Sequence, residues 1–268
     1  MSKTILITGS TDGIGLETAK RLREKGHNVL LHGRNPEKLE VAKSALSAMS
    51  GAGEISGYLA DLSRLEDVQR LADEIAENHD HLDVLINNAG VLRSPRDRTE
   101  EGLDVRFVVN LFAPYLLTKC LRPLMDGKSR VINLSSAAQA PVSLDALSGR
   151  EQLSAMDAYA QSKLALTMWS QHIGKERGAR EPVVIAVNPG SLLASKMVKE
   201  GFGVAGNDIG IGADILIRAA LSEEFAGASG QYFDNDSGRF AAPHPDGLKK
   251  AKIEALMAVL QDLVPLKS

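Results

Sequence analysis

Short apolar runs alternate with stretches whose apolar residues recur at helical spacing, beginning at the first residues of the 268-residue chain. Thr4 to Thr8 and Val29 to His32 read as strands, with an amphipathic helix from Gly13 to Lys25 between them. The series continues with helix Pro36 to Met49, strand Glu54 to Leu59, helix Arg64 to Asn78, strand Val84 to Asn87, helix Glu101 to Met125 and strand Arg130 to Leu134. Helix Ala155 to Gly178, strand Val183 to Val187, helix Ile209 to Leu221, strand Gln231 to Phe233 and a closing helix from Leu248 to Leu263 complete it. Such alternation predicts an α/β fold: a parallel sheet, with seven strand candidates, covered by helices on both faces. Gly26 reads as the cap that ends the first helix, and Pro36 sits where a first-turn proline is tolerated. No repeat or linker interrupts the pattern, so residues 1–268 read as a single domain. Residues 191–208 are the one long irregular stretch. There Gly201, Gly203 and Gly206 are mixed with Leu192, Leu193, Met197, Val198 and Phe202, which predicts a lid over a ligand.

Composition narrows the classes. With 44% hydrophobic and 24% charged residues the chain can bury a substantial core. Thirty-one basic against 34 acidic side chains leave a formal charge of −3, and aromatics make up only 4%. Nothing in this balance draws the protein to nucleic acid or to an anionic membrane. No apolar stretch approaches the roughly 20 residues of a membrane helix. The N-terminus runs from Met1-Ser2-Lys3 straight into a strand, without a leader pattern, and the single cysteine, Cys120, excludes an intrachain disulfide. A cytoplasmic location is the expectation. The six histidines are scattered without a ligand cluster, so no metal site is expected, and no Gly-x-Ser-x-Gly elbow suggests a serine hydrolase.

Directly after the first strand comes Thr8-Gly9-Ser10-Thr11-Asp12-Gly13-Ile14-Gly15. Glycines let a backbone approach a pyrophosphate, and the helix that follows offers free N–H groups and positive partial charge. This predicts a nucleotide site at Gly9, Ser10, Thr11, Asp12, Gly13, Ile14 and Gly15. The second strand ends in His32-Gly33-Arg34-Asn35, with no carboxylate for the ribose hydroxyls of NAD. Arg34 instead offers a planar fork for a 2′-phosphate, so NADP (NADPH) is the expected cofactor.

Tyr159 and Lys163 stand four residues apart and share a helix face. A phenol near pKa 10 exchanges protons poorly at neutral pH, and bringing it down takes roughly 4 kcal/mol, part of which a nearby ammonium can supply. Such a pair needs a partner hydroxyl, and Ser135 and Ser136 both follow the fifth strand. Alternation along a strand lets only one of them face the site.

Together the turn at Gly9, Asn87-Asn88-Ala89-Gly90, Ser135-Ser136 and Tyr159 with Lys163 resemble the classical short-chain dehydrogenase/reductase family, over nearly the whole chain. The resemblance implies a Rossmann-type doubly wound sheet with a nicotinamide across its carboxyl edge. It implies that Asp61 and Leu62 border the adenine, and that Asn87, Ala89 and Gly90 line the cofactor, Asn87 being the foremost contact. It makes Ser136, rather than Ser135, the hydroxyl that holds a substrate carbonyl, and Tyr159 the acid/base. Lys163 would bind the nicotinamide ribose and, with the positive charge of the oxidised ring, lower the phenol's pKa, and Asn110 would hold a water in the proton relay. Pro189, Gly190 and Leu192 would continue the cofactor site, with Ser195 near the carboxamide where Ala194 replaces a frequent family threonine. The Ser136 to Tyr159 gap is about ten residues longer than in the simplest members. That spacing is similar to the retinol-dehydrogenase-like branch, and the extra segment, with Pro141, Val142, Leu144 and Leu147, reads as a substrate wall. The implied activity interconverts an alcohol and a ketone or aldehyde, and the implied assembly is a homodimer or homotetramer. Val91, Leu92, Leu144, Leu192, Met197 and Phe202 favour a hydrophobic substrate. The alternative readings are a silent NADP-binding redox sensor and an epimerase or dehydratase, the latter belonging to longer chains.

Overall fold

The computed structural model describes residues 2–176, 178–194 and 206–264. Their organising element is one eight-stranded sheet in the order β3-β2-β1-β4-β5-β6-β7-β8. The strands are β1 Thr4–Ile7, β2 Asn28–Gly33, β3 Ile55–Leu59, β4 Val84–Asn87, β5 Arg130–Leu134, β6 Val183–Asn188, β7 Tyr232–Asp234 and β8 Arg239–Ala241. Every neighbouring pair is parallel except β7 and β8, which form an antiparallel hairpin. The doubly wound α/β sheet is therefore as expected, with one strand more than the seven predicted. Three-residue β8 is too short for its alternation to register in the sequence.

Alternation of side chains builds a core on each face. In β1, Leu6 faces one core while Ile5 and Ile7 face the other; in β4 the division is Leu85 against Val84 and Ile86. These side chains are fully buried or nearly so, each contributing about 1.5–3 kcal/mol. Helices α1 Gly13–Glu24 and α2 Pro36–Ser47 cover the second core; α3 Leu65–Asn78 and α5 Ala113–Leu121 cover the first. In α1 the chain stops at Lys25, and Gly26, at φ 82°, makes the predicted left-handed exit.

The predicted helix from Glu101 to Met125 is shorter and irregular. It opens with α4 Val105–Phe107, capped by Asp104, passes through a π turn at Val108–Phe112 and continues as α5. Pro114 explains the wide turn. Its ring crowds the carbonyl four residues back, that of Asn110, and it has no N–H to donate there. Among the described residues the remaining α-helices are α6 Leu144–Leu147, inside the long Ser136 to Tyr159 segment, α7 Ala155–Lys175, α8 Ile209–Leu221 and α9 Lys250–Leu263. Among the described residues no helix is long and apolar enough to cross a membrane.

Candidate active site

The order of the strands reverses direction at β1, and there the carboxyl ends of the strands open a cavity of about 340 Å³. The glycine turn forms one wall. Gly9 has φ +63°, and a Cβ on it would lie 2.9 Å from Ala89 Cα. A Cβ on Gly15 would meet the Asn88 amide and the Gly9 carbonyl at 2.5 Å, so both positions exclude any side chain. Gly9, Thr11, Asp12, Gly13 and Ile14 border the cavity. Ser10 and Gly15 stand behind them: the Ser10 hydroxyl is fully buried and accepts from the His32 N–H at 2.9 Å.

His32 was no part of the expected site. Its Nδ1 accepts from the Gly9 N–H at 3.1 Å and its Nε2 reaches the Ala60 carbonyl at 3.1 Å. Burial holds its pKa down at about 4, so the ring is neutral. Arg34 lies exposed on the cavity rim, with no ion-pair partner among the described residues. Asp61 and Leu62 border the same end, the Asp61 carboxylate accepting from the Ser63 N–H and hydroxyl at 3.0 and 2.8 Å.

Asn87 is not where the sequence reading puts it. Its side chain is buried away from the cavity and donates to Asn133 at 2.8 Å and Thr118 at 3.3 Å. Asn88 borders the cavity instead, together with Ala89 and Gly90, and donates to the carbonyls of Thr8 and Gly9 at 2.8 and 3.0 Å. The cause is the two-residue period at the end of β4, which turns neighbouring side chains to opposite sides. Pro189 borders the cavity, whereas Gly190 and Leu192 do not; Leu192 is exposed and takes φ 52°. Ser195, Met197, Val198 and Phe202, with most of the predicted lid, lie outside the described residues.

Tyr159 and Lys163 project from α7 to the cavity floor, 8% and 3% exposed. The lysine Nζ donates to the Leu134 carbonyl at 2.7 Å and stands 5.6 Å from the Tyr159 ring centre. Burial lowers its pKa to about 8, so it is mostly an ammonium at neutral pH. Ser136 favours the ionised phenol of Tyr159 as a hydrogen-bond partner but is not among the residues that border the cavity; Ser135 borders it, with its hydroxyl committed to the Lys163 carbonyl at 3.2 Å and to Thr167 at 2.7 Å. Lys163 alone does not lower the phenol. Burial raises the Tyr159 pKa, opposed only by the Ser136 hydrogen bond.

Asn110 sits in the π turn, fully buried. Its amide accepts from the Val91 N–H at 2.8 Å and donates to the Val91 carbonyl at 3.0 Å and to Ser162 at 2.9 Å. Its side chain therefore positions the wall after Gly90, with both N–H groups committed and one bond accepted by its oxygen.

A family model described as short chain dehydrogenase matches residues 3–202. The chain belongs to this family. Retinol dehydrogenase 13 from Homo sapiens is 30% identical over 269 residues, covering 93% of this chain and 81% of that protein. Among solved structures, an uncharacterized protein from Mycobacterium Paratuberculosis superposes with TM-score 0.79 at 26% identity, over 98% of this chain and 95% of that one. The Pseudomonas aeruginosa RhlG/NADP active-site complex gives TM-score 0.70 at 26% identity, over 88% and 95%. This short-chain dehydrogenase is accordingly an oxidoreductase built on a nucleotide-binding fold.

Three further supports were silent in its sequence. Arg106, 2% exposed, donates to the Leu92 carbonyl at 2.9 Å and pairs with Asp97 and Asp104, fixing the loop that carries Val91. The Ser136 carbonyl accepts from the Tyr232 hydroxyl at 3.2 Å and the Gln139 amide at 3.0 Å. Gln139 in turn accepts from the His244 N–H at 2.9 Å, tying the C-terminal segment to the serine. A buried arginine between two acids was the one signal of these available in advance. Finally, Val142 and Leu144 line a separate cavity of about 160 Å³ with Met168 and Leu256, not the one holding Tyr159. The predicted wall thus stands away from the main cavity at these two residues.

Proposed function

We propose that this dehydrogenase interconverts a hydrophobic alcohol and its ketone or aldehyde with NADP(H), using Tyr159 as the acid/base. The observation that carries the reading is a phenol bonded to Ser136 and a buried ammonium, both on the floor of the cavity whose wall is the glycine turn. The residues present fit a dinucleotide. The turn excludes side chains at Gly9 and Gly15, leaving backbone where a pyrophosphate would approach. Arg34, exposed and without an acidic neighbour at the end of β2, would hold a 2′-phosphate. Lys163 spends one of its three N–H groups on Leu134, and the others remain for a ribose. When bound, the nicotinamide supplies or accepts the hydride.

The chain's own part is to hold and move a proton. Ser136 donates to the substrate oxygen and sets it against the Tyr159 hydroxyl, which gives its proton to that oxygen in reduction and takes it back in oxidation. Because burial alone raises the phenol, its proton is retained until substrate arrives, and the Lys163 ammonium balances the charge that develops on the phenolate. The Asn110 carbonyl, denied its usual helical donor by Pro114, would hold the relay water. Residues 191–208 would form the lid, and α7 would pack against a second copy in a homodimer or homotetramer.

The test is NADPH oxidation against a graded set of aldehydes and ketones. Turnover of at least one apolar carbonyl, with kcat/KM higher for NADPH than for NADH, is expected. A preference for NADH would overturn the assignment of Arg34, and tight NADPH binding without turnover of any carbonyl would leave a cofactor-binding regulator.

A further inference from the structure

We propose that His32 is a positioning residue, a strut that holds the glycine turn at a fixed distance from the end of β3. The inference rests on the reading that the cavity receives a dinucleotide, because these two elements border its two sides. Both ring nitrogens are committed. The Gly9 N–H, 3.1 Å from Nδ1, can only donate, so Nδ1 must accept. The Ala60 carbonyl, 3.1 Å from Nε2, can only accept, so Nε2 must carry the proton. One tautomer satisfies both partners, and it is neutral. The backbone of His32 is pinned as well: its N–H donates to Ser10 Oγ at 2.9 Å, and its carbonyl accepts from the Ser10 N–H at 2.9 Å. Ala60 immediately precedes Asp61 and Leu62, and Gly9 opens the turn, so one imidazole links the glycine turn to the segment after β3, both of which border the cavity.

Addition of a proton would set an Nδ1–H against the Gly9 N–H, donor against donor, and push the turn away from its place. Asp61, two residues past the end of β3, is the charged neighbour that acts on the ring, favouring the cation, while Asp12 of the turn and Arg34, just past β2, border the same cavity. Burial outweighs Asp61 and keeps the ring neutral.

Two substitutions separate the two contacts. The amide oxygen of His32→Asn can replace Nδ1 and keep the Gly9 bond, whereas the amide of His32→Gln reaches the Ala60 position and abandons Gly9. NADPH affinity is read by fluorescence titration beside a thermal melt. His32→Gln should weaken NADPH binding roughly tenfold and His32→Asn by no more than about threefold. Equal losses in both, or none in either, would overturn the strut. The wild-type protein provides a readout that needs no variant and no cofactor: long-range proton–nitrogen NMR correlations should show His32 as the neutral Nε2–H tautomer at pH 7 and still at pH 5. An Nδ1–H tautomer, or an imidazolium at pH 6, would overturn the proposal. Failure of the wild-type protein to bind NADPH would instead sink the cofactor reading, and the NMR result would still decide the strut.

Discussion

Two tyrosine–lysine pairs with the same four-residue spacing lie on neighbouring helices of this protein. Tyr115 and Lys119 belong to α5, Tyr159 and Lys163 to α7, and both tyrosines are buried. In α5 the lysine turns back on its own tyrosine, donating to the phenol oxygen at 3.0 Å and lying 4.8 Å over the ring, with Trp169 packed edge-on at 5.7 Å. In α7 the lysine stands over its tyrosine's ring, 5.6 Å from the centre, but bonds the end of β5 rather than the phenol oxygen. The pair that looks more like a proton relay in its internal geometry is the one far from the cavity. Spacing makes a pair; position at the carboxyl edge of the sheet makes a site.

The comparison is broken most directly by removing each hydroxyl. Tyr159→Phe should lower kcat about a thousandfold with NADPH affinity little changed, whereas Tyr115→Phe should leave kcat within about twofold. Steady-state kinetics on any accepted carbonyl checks both, and comparable losses would erase the distinction. Replacing the lysines should sharpen it. Lys163→Met should cost at least about a hundredfold in kcat yet raise stability at pH 7 by on the order of 3 kcal/mol, read from urea melts. The sign follows from the pKa of about 8 against an ordinary 10.5. Between these values the unfolded chain holds a proton that the folded chain has lost, so stability rises with pH through that window, and below it the folded chain bears the cost of a buried charge. A variant less stable than wild type would contradict this burial cost.

His32 provides a parallel effect of the same sign in a lower pH window, since its protonation affects stability at low pH. With a folded pKa of about 4 against 6.5, the unfolded chain binds the extra proton between these values. Stability should therefore fall by about 3 kcal/mol as pH drops through that window, and His32→Asn should flatten the slope. The smallest effect is expected for Lys119→Met, which should change stability by less than about 1 kcal/mol and activity not at all.

The sheet and its two cores were legible because long apolar runs and helical periods alternate without interruption from Thr4 onward, and Gly26 and Pro36 sit where caps and first turns require them. The glycine turn was legible for the same local reason. What was not legible depends on which side a neighbour faces. Asn87 and Asn88 are the same residue type one step apart, and only the strand's pleat decides that Asn88 meets the cavity. Ser135 and Ser136 pose the same choice, and spacing alone did not reveal that the Ser135 hydroxyl is committed to Thr167. His32 reads as an ordinary strand residue, since its two partners lie 23 and 28 residues away. The part that burial plays in raising the Tyr159 pKa was not legible, because a spacing argument counts charges and cannot count the water that burial removes.

The π turn at Val108–Phe112 acts as a phase shifter. One extra residue in a helical turn offsets everything before it from everything after it by about 100°. Asn110 meets Val91 only because of that offset, while α5 keeps its apolar face on the first core. Deletion of a single residue from this turn would leave composition, hydrophobicity and all the named site residues intact. It should nevertheless turn Asn110 by about 100° relative to α5 and so break its two bonds to Val91, an effect of a lost residue that no single changed side chain would reproduce.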